Sequence, residues 1–150
     1  MLTRHGITHV LVCARELPCV FEGKAGGPEY LKFDLADVPT HDIARHFAPA
    51  CAFVDAACAG GGRVLAHCAA GGSRSAAICI AYALHDAARN GGKAITFDEA
   101  LAAVKAQRPV VDPNWGFVEQ LQKFAAELIA ESTTARWTGP HRPLHDLYIS

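Results

Sequence analysis

The apolar positions of this chain fall into alternating short runs and helical stripes. Ile7-Thr8-His9-Val10-Leu11-Val12-Cys13 is β-rich and predicts a buried strand, followed by a polar loop with Pro18, Gly23, Gly26, Gly27 and Pro28. Tyr30 to Phe33 predicts a short second strand. From Asp42 to Ala59, Ile43, Phe47, Ala50, Cys51, Val54, Ala57 and Cys58 recur at about 3.6-residue spacing, and Gly60-Gly61-Gly62 stops the pattern, so an amphipathic helix is expected. Arg63-Val64-Leu65-Ala66 reads as a central strand. Ser75 to about Arg89 is almost wholly apolar and predicts a helix in the middle of the fold, ended by Asn90-Gly91-Gly92. Thr96 and Glu99 match a capping box that opens a third helix, running to about Gln107 and closed by Pro109. Asp112-Pro113 supplies a cap and an N1 proline for a fourth, with Phe117, Leu121, Phe124 and Leu128 in one stripe. Beyond it no period remains; a poorly ordered tail is expected, in which Trp137, Leu144, Leu147 and Tyr148 are the residues able to dock. The expected organisation is one domain over residues 1–131 and a tail over 132–150, without internal repeats.

Composition narrows the function classes. A formal net charge of -1 recommends no electrostatic role on nucleic acid or an anionic membrane, so any phosphate recognition must be local. The longest apolar stretch, Ser75 to Leu84, is too short for a bilayer span, and the N-terminus lacks an apolar leader core, so a cytoplasmic or nuclear setting is expected. In that setting the six cysteines, which include no C-x-x-C pair, are not read as a disulfide scaffold or zinc knuckle. Cys51, Cys58 and Cys79 sit at apolar helical positions and read as small buried hydrophobes. Cys68 stands apart. His41, His46, His141 and His145 form no metal pattern; no metal and no cofactor are expected.

The segment His67-Cys68-Ala69-Ala70-Gly71-Gly72-Ser73-Arg74-Ser75 places a cysteine at the end of a strand and an arginine where a helix begins. Backbone N–H groups of Ala69, Ala70, Gly71, Gly72, Ser73 and Arg74 can converge on one tetrahedral oxyanion, helped by the helix N-terminus, with Gly71 and Gly72 allowing the turns. The same donors and the guanidinium favour a Cys68 thiolate. Arg74 can hold two phosphoryl oxygens, and Ser75 can donate to the Cys68 sulfur when it leaves as thiolate. His67 is read as orienting the loop, with simple packing as the alternative.

This nonapeptide resembles the His-Cys-x5-Arg-Ser/Thr signature of the dual specificity phosphatases, and Arg108-Pro109 with Pro113-Asn114-Trp115-Gly116-Phe117 is similar to the stretch that enters the family's last helix. The resemblance, which runs from about Gly6 to Leu128, implies an α/β fold with a central, mostly parallel sheet flanked by helices. It implies a phosphocysteine intermediate on Cys68, phosphoprotein substrates, and Asn114 buttressing the phosphate loop; a monomer is expected. It also implies an aspartate that protonates the leaving oxygen and then activates water. Asp34, Asp37 and Asp42 compete for that role; the spacing of Tyr30, Phe33 and Asp37 resembles the family pattern and selects Asp37, while Asp42 reads as a helix cap. Related phosphatases carry a resolving cysteine near Cys13, although core packing is the favoured reading of that residue. The phosphate loop holds no lysine, which disfavours phosphoinositides. The family usually has two strands before the Gly6-Ile7-Thr8-His9 stretch, so the chain looks shortened there and a sheet edge is expected to be exposed. Two other readings use similar parts: a phosphate-binding pseudophosphatase, and a sulfur carrier or arsenate reductase; the first is disfavoured by retention of Cys68 and Arg74, the second by Asp37 and Pro113-Asn114.

Overall fold

A computed structural model describes residues 2–90, 92–132 and 146–150. Four parallel strands form one sheet in the order β2-β1-β3-β4: β1 is His9–Val12, β2 Glu29–Lys32, β3 Val64–His67 and β4 Leu147–Ile149. The helices are α1 (Phe47–Ala59), α2 (Arg74–Arg89), α3 (Phe97–Gln107) and α4 (Trp115–Ser132). Among the described residues the sheet is thus wholly parallel where a mostly parallel one is expected; β1, β2 and β3 sit one or two residues from the predicted spans, and β4 falls in the tail, where no strand is expected.

The predicted central position of α2 is observed: it packs on α1, α3, α4 and β3, and its residues Arg74 to Leu84 are all buried. Ala76, Ala77, Ala81 and Ala83 leave room for three helices to approach one axis, while Ile78, Ile80 and Leu84 supply apolar volume. A part-buried polar cluster joins α1 to α2. Asp55 accepts from the Tyr82 hydroxyl at 3.0 Å and meets His85 Nε2 at 2.8 Å. Burial, and then the Asp55 charge, pushes the Tyr82 phenol up.

Three local expectations change. The helix expected from Asp42 opens as a 3-10 turn, Ala44–His46, before α1 begins at Phe47. The fourth helix is capped by Asn114 rather than Asp112, because the Asn114 carboxamide oxygen accepts from Phe117 N at 2.9 Å while Asp112 N is committed to Gly72 O at 2.7 Å. In the tail, Trp137 and Leu144 lie outside the described residues, but Leu147 joins the core and β4 pairs with β3 in the register Val64↔Leu147, Leu65↔Tyr148, Ala66↔Ile149. The expected open edge is therefore not an edge of β3, which is paired on both sides.

Candidate active site

The carboxyl end of β3 runs through His67 into a loop that ends where α2 starts at Arg74. Cys68 is the first residue of that loop, and its sulfur receives the Gly71 N–H at 3.2 Å and lies 3.2 Å from Ser75 Oγ. Burial alone pushes this thiol up. The Ser75 hydroxyl, then the N–H groups of Ser75, Gly71 and Ala70, outweigh it and hold Cys68 below the ordinary thiol value. Gly71 reaches the sulfur from a φ of 68°, where a side chain is strained. A Cβ there would also stand 2.6 Å from the Ser150 carbonyl carbon and 2.8 Å from Arg108 Nε.

Arg74 is 8% exposed and leans on Glu16, whose two oxygens take Nη2 at 2.6 Å and Nη1 at 2.8 Å. Nη1 also donates to Leu35 O at 3.2 Å. Nε is buried and has no partner among the described residues. The pair draws Glu16 down to about 2, chiefly through the hydrogen bonds from Arg74. Glu16 was not singled out by the sequence. Its signal was position: a polar residue just past the end of a parallel strand lies at the sheet end where ligand sites form.

The three candidate carboxylates separate. Asp37 Oδ1 accepts from Ser73 Oγ at 2.7 Å and from Asn114 Nδ2 at 3.0 Å, and Asn114 N donates to Ser73 Oγ at 3.0 Å. Asn114 thus ties the Cys68–Arg74 loop, the Asp37 loop and the first turn of α4 together. Asp34 faces Arg15 at 3.6 Å on the surface, and Asp42 accepts from Arg45 N at 3.4 Å in the 3-10 turn. Gly116 explains how the Asp37 loop comes so near: its Cα packs on Pro39, and a Cβ would fall onto the Pro39 carbonyl. An open depression of about 700 Å³ adjoins this junction, lined by Asp37, Ser73, Asp112, Asn114, Trp115 and Glu119.

His67 joins the site through its main chain, accepting from Cys13 N at 2.8 Å. No hydrogen bond to its imidazole, the expected orienting contact, is seen among the described residues, and burial pushes that imidazole down. Cys13 extends the paired register of β1 with β3 and lies beside Cys68 at the strand ends. It is fully buried, which pushes its thiol well up. Among the described residues no group of three His, Cys, Asp or Glu side chains can hold a metal ion, and no helix is long and apolar enough to cross a membrane.

The family model for the dual specificity phosphatase catalytic domain matches residues 1–127. Mouse dual specificity phosphatase 28 is 38% identical over 136 residues, which cover 91% of this chain and 78% of that protein. Human dual specificity protein phosphatase 4 is 36% identical over 146 residues, covering 97% of this chain; the match spans 35% of that longer protein. The crystal structure of human DUSP28 superposes with a TM-score of 0.75 at 36% identity, over 87% of this chain and 85% of that one.

Proposed function

Since the chain belongs to the dual specificity phosphatase family and is a protein phosphatase of the tyrosine and serine/threonine class, we propose that it hydrolyses these phosphate esters through a phosphocysteine on Cys68, with Asp37 as general acid and then general base. The observation that carries the reading is the surroundings of one sulfur: Cys68 accepts from Gly71, adjoins Ser75, and lies in a loop whose Arg74 keeps a buried Nε without a partner. An orphaned buried donor is costly, and a phosphoryl oxygen is the acceptor that relieves it.

In the first step the Cys68 thiolate attacks phosphorus as the P–O bond to the leaving group breaks, and Asp37 delivers its proton to the departing oxygen. Arg74 and the N–H groups of Ala69, Ala70, Gly71, Gly72 and Ser73 bear the negative charge of the transferring phosphoryl group. Glu16 fixes the two Nη atoms, leaving the Nε edge of the guanidinium free to face the phosphate. In the second step Asp37 takes a proton from water, which attacks phosphorus as the S–P bond breaks. The Ser75 hydroxyl donates to the sulfur as it departs with the electron pair. Asn114 and Ser73 hold Asp37 against the loop. The catalytic unit comprises residues 1–131 with β4 of the tail docked beside it, and it uses no cofactor.

The test is turnover of an aryl phosphate by the wild type, Cys68→Ser and Asp37→Ala. Cys68→Ser is expected to be inactive while still binding vanadate. Asp37→Ala is expected to lose about 10²- to 10⁴-fold on esters with poor leaving groups and less on good ones. Normal turnover by Cys68→Ser refutes the covalent mechanism.

A further inference from the structure

The C-terminal strand reaches the active site. Ser150 N donates to Ala66 O at 2.9 Å, carrying the β4 pairing one residue past Ile149. The Ser150 main-chain oxygen then accepts from the Ser75 hydroxyl at 3.3 Å, and the same hydroxyl lies 3.2 Å from the Cys68 sulfur. Ser75 has one hydroxyl proton, and two acceptors stand at nearly equal distance. When the proton points to Ser150, the sulfur keeps its own hydrogen and donates it to Ser75 Oγ. When the proton points to sulfur, the thiolate is the form it stabilises.

We propose that β4 is a brake on the nucleophile: docked beside β3, the Ser150 main-chain oxygen competes with the Cys68 sulfur for the Ser75 proton, and undocking the strand releases that proton to the sulfur. This rests on Cys68 being the nucleophile and adds a control on it. The other groups facing the sulfur are Arg74 and Cys79 on α2 and Cys13 at the end of β1. Arg108, at the end of α3, contacts the loop through Ala70 O at 3.3 Å. Cys79 lies beside Leu147 and Ile149 of β4, and Arg108 lies near Ser150, so a Ser75→Ala background is what separates their influence from that of the shared proton. Leu147, 5% exposed and packed near Cys79 and Val104, is the apolar anchor that decides whether β4 stays docked.

The experiment removes Ser150 alone, which leaves Leu147 in the core, and in a second variant expels the strand with Leu147→Asp. The pH dependence of Cys68 alkylation by iodoacetamide is read by mass spectrometry of the Cys68 peptide, which requires no turnover. Failure here is therefore separate from failure of the phosphocysteine mechanism, which the Cys68→Ser assay tests. Both variants are expected to lower the apparent Cys68 pKa by about one unit, or about tenfold more thiolate at a fixed pH below it. In a Ser75→Ala background, removing Ser150 is expected to change nothing. An unchanged or raised pKa after loss of Ser150 overturns the proposal. So does a shift that persists with Ser75→Ala, since that assigns the effect to charge near the loop and not to a shared proton.

Discussion

Gly116→Ala is the substitution whose effect the backbone alone determines. A Cβ at this position stands 2.6 Å from the Pro39 Cα and carbonyl carbon and collides with the Pro39 oxygen. All three are main-chain atoms, so no flexible side chain can yield. Bringing the two carbons back to about 3.4 Å, the near edge of ordinary contact, requires α4 and the 37–39 loop to part by at least about 0.8 Å, and clearing the oxygen requires more. That movement stretches the Asp37 to Asn114 bond from 3.0 Å to about 3.8 Å, beyond hydrogen-bonding range. Overpacking costs about 1–3 kcal/mol, and the better helix propensity of alanine recovers up to about 1 kcal/mol of it. The net loss corresponds to a fall in Tm of a few degrees for a chain of this size. Displacement of an acid by nearly 1 Å costs up to about 10² in rate. The assay is kcat/KM on a pair of phosphate esters, one with a good and one with a poor leaving group, together with Cys68 alkylation. Turnover is expected to fall mainly on the poor leaving group, with alkylation unchanged. A Gly116→Ala enzyme with wild-type rates on both esters refutes the argument that this contact sets the Asp37 position.

Two further outcomes follow from single contacts. Glu16→Gln removes the charge that holds Arg74, and kcat/KM is expected to drop about tenfold while Cys68 alkylation persists. Because Glu16 in the folded protein is drawn down to about 2, its contribution is complete above the ordinary glutamate range and is lost as pH falls toward 2. Melting curves taken between neutral pH and pH 2 should show that acid limb in the wild type and a smaller one in Glu16→Gln. Asp55→Ala leaves the buried Tyr82 hydroxyl without its acceptor. It is expected to cost about 1–3 kcal/mol by denaturant titration, with specific activity of the folded fraction unchanged.

Contacts close in sequence were legible from the residues, and distant ones were not. Thr96 and Glu99 announced the start of α3, and the capping box is present in full. The apolar run after Ser75 announced α2 because a helix hydrophobic on every face has only the interior to occupy. The start of α4 lies two residues later than expected because Asp112 looks like a cap when read alone, whereas the side-chain oxygen that accepts from the first turn is that of Asn114. Glu16 and Arg74 are 58 positions apart, and no local period relates them. β4 was missed for a related reason: three residues after an aperiodic stretch carry no strand signal, and their pairing is decided by the unpaired side of β3 and the slot for Leu147.

The three neighbouring thiols show what makes one of them reactive. Cys13, Cys68 and Cys79 are all buried, and burial pushes every one of them up. Cys79 reaches about 12, and Cys13 is also driven well up; its thiol donates to the Leu11 carbonyl at 3.9 Å, an acceptor that can only favour the protonated form. Cys68 alone has donors aimed at its sulfur, and they reverse the direction. The distinction therefore lies neither in depth nor in residue type but in the few atoms that turn N–H and O–H groups toward one sulfur. Gly71 does so through its positive φ, Ser75 by standing on the first turn of α2. Of these two donors only the hydroxyl has a choice of acceptor, since the Gly71 N–H is fixed by the backbone. Any control over the reactivity of Cys68 exerted within this chain has its simplest entry at Ser75, and the acceptor found there besides the sulfur is the end of β4.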